Sequence, residues 1–294
     1  MNETTTEPVS QTLTVPGAVL TYDVRQNDAS TDAVLLLIGS PMGAAGFGTL
    51  AQHFTDRTIV TYDPRGSERS KRTDGATQNT VEEHADDLHR LIAAIDAGPV
   101  EVFASSGGAV NALALVAEHP EQVRTLIAHE PPLVTALPDR EAALAASRDI
   151  HETYLRDGQG AGMAKFMALS SHKGEVPSDW LDRPEPDPAM FGLPTEDDGS
   201  RDDPLLGLAM GSTIGYELDF DALRDSPTRI VLAAGTESAG EMANRCAYAV
   251  AERMGTRPVI FPSHHGGFLG GEYGWPGEPE AFAAKLREQL TAEV

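Results

Sequence analysis

Val100-Glu101-Val102-Phe103-Ala104-Ser105-Ser106-Gly107-Gly108-Ala109-Val110 is the stretch on which the reading of this chain turns. An apolar, β-type run ends in a small-x-Ser-x-small pattern, and a helical pattern starts at once. A serine at the tip of such a strand-to-helix turn sits on a sharp, strained backbone, so the residues two positions either side must be small for strand and helix to approach. Ala104 and Gly108 meet that need around Ser106. Centring the turn on Ser105 would put Phe103 where a tiny side chain is wanted. Two other uses compete: a flexible turn capping the helix, or a phosphate site at the helix N-terminus. The second lacks the Gly-Lys-Ser/Thr of a P-loop.

Working outward, Val34-Leu35-Leu36-Leu37-Ile38 is an unbroken apolar run ending in glycine, as expected of a strand buried on both faces of a parallel sheet. Strands are expected at Gln11–Val15, Val19–Arg25, Ala33–Ile38 and Thr58–Tyr62. A helix over Thr80–Ile95, the strand Val100–Ala104, a helix Ala109–Glu118 and the strand Val123–His129 follow. The alternation resumes with strand Arg229–Ala234, helix Glu241–Met254, strand Pro258–Phe261 and helix Pro279–Leu290. Strands alternating with helices predict an α/β fold, a mostly parallel twisted sheet covered by helices on both faces.

Residues 1–10 read as a disordered tail, and residues 11–131 with 228–294 as the α/β core. Residues 132–227 read as an inserted helical cap without strands. Its section 182–204, crowded with Pro, Asp, Glu and Gly, is expected to be a mobile surface loop.

Composition narrows the function. With 45 Asp+Glu against 22 Lys+Arg, a formal charge of −23, the chain would be repelled by a nucleic-acid backbone or an anionic lipid surface, so small molecules or other proteins are the expected partners. No apolar run reaches membrane-span length and the start of the chain has no signal-peptide pattern, so a soluble, cytoplasmic protein is expected. Cys246 is the sole cysteine, which rules out an internal disulfide and a multi-thiolate zinc site. Gly46-Phe47-Gly48-Thr49-Leu50-Ala51 is a poor dinucleotide fingerprint, because it starts well past the strand end. His84, Asp86, Asp87 and His89 read as a solvated acidic helix face rather than a metal cluster, since residues five apart diverge around a helix.

Two further segments bear on chemistry. Ile38-Gly39-Ser40-Pro41-Met42-Gly43 follows the apolar strand, where backbone N–H groups could face a developing oxyanion. Ser40 and Gly107 are the candidate donors; Pro41 has no N–H. Pro262-Ser263-His264-His265-Gly266-Gly267-Phe268 places a histidine after the last strand, where a general base for Ser106 is needed.

With these segments in this order, the chain resembles the α/β-hydrolase family from about Leu13 to its C-terminus. The oxyanion turn at Gly39-Ser40-Pro41, the turn Tyr62-Asp63-Pro64-Arg65-Gly66-Ser67, the serine turn at Ser106 and the histidine loop carry the resemblance. It implies an esterase- or lactonase-like serine hydrolase with a helical cap, needing no cofactor and no metal. Asp-His-Gly is common in the family's histidine loop; here His264 takes the aspartate position and His265 that of the base. Asp63 and Arg65 resemble a structural turn. For the acid that fixes the histidine tautomer, Glu237 follows strand Arg229–Ala234, where the family most often carries it, whereas Glu130 follows strand Val123–His129, the place used by relatives resembling haloalkane dehalogenases. Both glutamates stay open, with the rigid Pro131-Pro132 segment tilting the choice toward Glu130.

Met163, Phe166, Met167, Met190, Phe191, Leu193 and Met210 in the insertion could roof the site and favour an apolar ester, lactone or thioester. The alternative use of the fold is non-hydrolytic, as a ligand-binding protein or a cofactor-free natural-product enzyme.

Overall fold

The computed structural model describes residues 7–292, with the side chain of Ser212 set aside. A single sheet organises the chain. Its strands are β1 (Val9–Val15), β2 (Ala18–Arg25), β3 (Leu35–Ile38), β4 (Ile59–Asp63), β5 (Lys71–Arg72), β6 (Val100–Ser105), β7 (Val123–His129), β8 (Arg229–Gly235) and β9 (Val259–Phe261). The spatial order is β1-β2-β4-β3-β6-β7-β8-β9, with β5 paired to β2. From β4 to β9 neighbouring strands run parallel, while β1, β2 and β5 pair antiparallel at one end. The chain leaves β3 toward β4 on one side and returns as β6 on the other. The carboxyl ends of β3 and β6 therefore flank the switch point where open α/β sheets bind their ligands.

The apolar run of β3 explains its central place. Leu36 and Ile38 join one buried cluster, Leu35 and Leu37 the opposite one, so successive side chains fill both faces. The helices are α1 (Gly48–Gln52), α2 (Val81–Ile95), α3 (Gly107–Glu118), α4 (Arg140–Asp157), α5 (Gln159–Ser170), α6 (Met210–Thr213), α7 (Phe220–Asp225), α8 (Met242–Arg253) and α9 (Pro279–Thr291). α2, α3 and α8 cover the first face through residues such as Leu88, Leu113 and Val250; α1 and α9 cover the other through Leu50, Phe282 and Leu286. α2 begins where it does because of a capping box. Thr80 Oγ1 accepts from the Glu83 N–H at 3.1 Å and Glu83 Oε2 accepts from the Thr80 N–H at 2.9 Å.

Several boundaries differ from the sequence reading. Val9 and Ser10, assigned to the tail, belong to β1 and lie opposite Val24 and Asp23; residues 1–6 fall outside the described residues. Between β7 and β8 no strand occurs among the described residues. Yet Leu133, Leu218, Phe220 and Leu223, placed in the insertion, pack in the large cluster beneath the sheet, because the segment leaves and re-enters through the core. The rest of the insertion shares a separate cluster with Met242 and Cys246 of α8. Residues 182–204 lie largely at the surface, tied back by Glu185 to Lys165 of α5 at 2.7 Å.

The solvated-face reading of α2 fails for two of its four residues. His84 and Asp87 are buried, and Asp87 grips the buried Arg65 through two hydrogen bonds of 2.7 and 2.6 Å. Glu83 takes a third guanidinium N–H at 2.8 Å. A buried guanidinium needs a carboxylate beside it, so the polar face of α2 is used to hold the turn after β4. Asp87→Ala would leave Arg65 with the half-buried Glu83 as its one carboxylate among the described residues, beside the Pro16 carbonyl at 3.4 Å. We expect a loss of about 3 kcal/mol in urea unfolding, the low end for breaking one side of a buried pair; a change below about 1 kcal/mol would show that the pair does not hold the turn.

Candidate active site

Ser106 is the last residue before α3 and lies at φ 58°, ψ −132°, a left-handed conformation costly for a residue with a Cβ. Its N–H is held by the His129 carbonyl of β7 at 3.0 Å. The glycines that follow have no alternative: a Cβ on Gly108 would lie 2.8 Å from the Ile38 carbonyl oxygen, and one on Gly107 2.7 Å from that of Ser40. Strand β3 and the start of α3 thus meet backbone to backbone. This contact brings the Ser40 and Gly107 amides to one corner, and neither N–H has a protein partner among the described residues. The positive end of α3 points there as well.

The next strand end supplies a carboxylate. Glu130 is fully buried, also at positive φ (47°), with its N–H on the Ala233 carbonyl of β8 at 2.9 Å. Oε1 accepts from Gly235 N–H at 2.8 Å, Ser238 Oγ–H at 2.5 Å and Asn244 Nδ2–H at 3.1 Å. Oε2 faces His265 Nδ1 at 2.6 Å. Burial by itself would push this carboxyl up. The hydrogen bond to His265 and the nearness of His129 and Ser238 outweigh it and hold Glu130 well below the usual carboxylate range. Glu130 therefore stays ionised, which makes Nδ1 of His265 the protonated nitrogen and leaves Nε2 as the acceptor. His265 is a quarter exposed, and Nε2 has no protein partner among the described residues. No hydrogen bond joins it to Ser106 Oγ; in substrate-free sites such contacts are commonly longer and tighten with substrate.

Glu237, the other glutamate considered, stands apart. It is exposed, and its carboxylate accepts from Ser263 Oγ at 3.3 Å, not from His265. It leaves the turn one residue before the Ser238 that serves Glu130, so its side chain follows the outer face. His264 is likewise engaged. Its Nδ1 accepts from the Gly266 N–H at 3.0 Å, so Nε2 carries the proton and donates to the Pro276 carbonyl at 3.1 Å, while the ring stacks on Trp275 at 4.6 Å. With both nitrogens occupied, His264 is no free base.

The apolar set of the insertion divides. Met210 is buried in the insertion's own cluster, with Met163 and Phe166 packed against it, whereas Met190 is 83% exposed and Met167 and Phe191 also face outward. These seven side chains do not form one roof, because three serve the insertion's core, three point to solvent and Leu193 is half-buried. Cys246 is buried in the same cluster, and burial pushes its thiol far up.

Sequence reasoning missed the supports of Glu130 and a second buried pair. Ser238 was legible only as part of a turn, and nothing marked Asn244 on α8. His129, beside Glu130, is buried among Phe103, Phe261 and Phe282, with Nδ1 3.1 Å from Ser105 Oγ and Nε2 without a partner. Burial pulls it down to about 4, so it is neutral at pH 7; His84 is pulled down to about 3 in the same way.

A sequence profile of the alpha/beta hydrolase fold matches residues 32–185. The uncharacterized hydrolase YraK of Bacillus subtilis is 35% identical over 262 residues, 87% of this chain and 89% of that protein. A proline iminopeptidase of Xylella fastidiosa is 34% identical over 95 residues, 32% of this chain and 30% of that protein. Among solved structures, a thermophilic esterase from Thermogutta terrifontis superposes with a TM-score of 0.65 at 20% identity, over 97% of this chain and 98% of that one.

The buried histidines make a pH prediction. The unfolded chain takes up protons on histidine near pH 6.5, whereas His129 in the folded chain resists until about 4. Between those values the unfolded state binds more protons, so stability falls as pH is lowered through that window. Denaturant titrations at pH 7 and pH 4.5 are expected to show a smaller loss in His129→Phe than in the wild type; equal losses would mean that His129 is not the group responsible.

Proposed function

Because this chain belongs to the α/β-hydrolase fold family, we propose that it is a serine hydrolase that cleaves a carboxylic ester, lactone or thioester through an acyl-enzyme on Ser106. The observation that carries the reading is the hydrogen bond of 2.6 Å between the buried Glu130 carboxylate and His265 Nδ1, beside a serine held in a strained turn at the same sheet edge. A serine hydroxyl is a poor nucleophile near neutral pH, and a neutral imidazole with its proton fixed on Nδ1 is the base it needs.

In this mechanism Ser106 Oγ attacks the substrate carbonyl carbon while its proton passes to His265 Nε2. The imidazolium that forms is stabilised by Glu130, which keeps its own charge. Negative charge on the carbonyl oxygen is met by the N–H groups of Ser40 and Gly107, set in place before the reaction begins. As the tetrahedral intermediate collapses, the bond to the leaving oxygen or sulfur breaks and that atom takes the proton from His265. Water, deprotonated by the same nitrogen, then releases the acid and restores Ser106.

The substrate we infer is small to medium in size and uncharged or apolar. An overall charge of −23 disfavours anionic esters, and the exposed aromatic ring of Trp275 lies 6.4 Å from the His265 ring at the rim of the site. With Glu130 seated on His265, no observation favours the non-hydrolytic use of the fold.

A series of p-nitrophenyl esters of increasing chain length tests this reading. Ser106→Ala and His265→Ala are expected to lower kcat by at least about a thousandfold. Glu130→Gln should cost about a thousand- to ten-thousandfold, since its amide would force the wrong tautomer. Glu237→Gln should stay within about twofold. Hydrolysis that survives Ser106→Ala in folded protein would discard the proposal.

A further inference from the structure

The clamp around Glu130 is more elaborate than burial alone demands. A carboxylate has two oxygens, and here they are treated differently: Oε1 receives three donors and Oε2 receives only His265. We propose that Ser238 and Asn244 are positioning residues for the reaction, which with the Gly235 N–H pin Oε1 of Glu130 so that Oε2 alone is presented to His265. The inference rests on the roles given above to Ser106, Glu130 and His265.

The donor assignments leave little freedom. Asn244 Nδ2 has two hydrogens, and both are used, on Glu130 Oε1 at 3.1 Å and on the Gly235 carbonyl at 3.0 Å. A flipped amide would set its oxygen against both acceptors, whereas the observed orientation lets Oδ1 accept from the Gly240 N–H at 3.4 Å. Ser238 has one hydroxyl proton and two acceptors in reach, Glu130 Oε1 at 2.5 Å and the Gly235 carbonyl at 3.3 Å; the shorter contact to the charged oxygen takes it. Glycine at 235 lets the clamp close, because a Cβ there would lie 2.7 Å from Ser238 Oγ and 2.9 Å from the Ser263 carbonyl. Ser238 and Asn244 are themselves buried, so no water competes for their places.

The location gives the clamp its meaning. Gly235, Ser238 and Asn244 come from the end of β8, the following turn and the first turns of α8. This is the turn in which the sequence offered Glu237 as the acid. Here it supplies donors to a carboxylate that directly follows β7 instead. Glu130 is held at positive φ between two strand ends, and its side chain could rotate away from His265 were Oε1 not fixed. The work of the clamp is therefore done through Glu130 and should vanish when Glu130 no longer carries charge.

Steady-state kinetics on the best p-nitrophenyl ester test this with Ser238→Ala, Asn244→Leu, Glu130→Gln, Ser106→Ala and the double variant Ser238→Ala/Glu130→Gln, each checked by thermal melting. Ser238→Ala, which removes a single oxygen, and Asn244→Leu should each lower kcat about ten- to hundredfold, the scale of one hydrogen bond to a charged group. KM should change less than about twofold, because neither residue touches substrate. In the double variant Ser238→Ala should add less than about twofold to the loss from Glu130→Gln, a coupling that a purely structural role would not produce. An unaltered kcat in folded Ser238→Ala, with Glu130→Gln inactive, overturns the inference and leaves the catalytic reading standing. Losses that multiply in the double variant also overturn it. An active Ser106→Ala overturns the catalytic reading itself. Should Asn244→Leu fail to fold, Ser238→Ala and its double variant decide the question alone.

Discussion

A carboxylate removed from water stays charged only if donors replace the hydration it has lost, and Glu130 meets that condition with donors from three separate segments of the chain. Gly235 ends β8 and Ser238 lies in the turn after it, Asn244 lies on α8, and His265 follows β9. Each of these segments must therefore close against the end of β7 for the charge to be tolerated. The sheet order places β7, β8 and β9 side by side and parallel, so their carboxyl ends emerge together and short turns can reach one point. The clustering of the candidate site at this edge follows from the topology, and the buried charge rewards the arrangement only when every turn is in place.

The same edge concentrates backbone strain. Of the non-glycine residues at positive φ, Ser106, Glu130 and Ser263 belong to the three turns that carry the serine, the carboxylate and the histidine. Such conformations cost free energy and persist where surroundings over-determine them. The surroundings are identifiable: the His129 carbonyl holds Ser106 N–H, the Ala233 carbonyl holds Glu130 N–H, and the Ser263 carbonyl accepts from Glu237 N–H at 2.9 Å. Each hydrogen bond ties one strained turn to a neighbouring strand end or turn. Glu237, the other glutamate the sequence offered, contributes its backbone N–H to holding the histidine loop.

Polar burial elsewhere follows the same logic with a different outcome. Arg65 and Asp87 form a paired, fully buried unit that fixes the turn after β4 against α2, far along the sheet edge from His265. His84 and His129 are buried without a full set of partners and respond by remaining neutral.

The sequence by itself determined most of the sheet, the helices α2, α3, α8 and α9 and the turn at Ser106, because these are written in local patterns. An unbroken apolar run marks a strand buried on both faces, and small residues around a serine mark a backbone that must turn within van der Waals distance of another. Leu35–Ile38, Ala104 and Gly108 are signals of that kind, and the order of Ser106, the two candidate glutamates and His265 along the chain was legible directly. The choice between Glu130 and Glu237 was not, since both end strands at the same edge and differ only in where the side chain goes. That depends on which donors three distant segments bring to the end of β7, a matter of long-range packing with no local trace. His84 and Asp87 show the same limit: on a helix with polar residues at these positions, solvent and a buried arginine are indistinguishable until the turn that carries Arg65 is seen against it. Local sequence specifies a backbone path; which buried charge finds which partner is decided only when the path has closed.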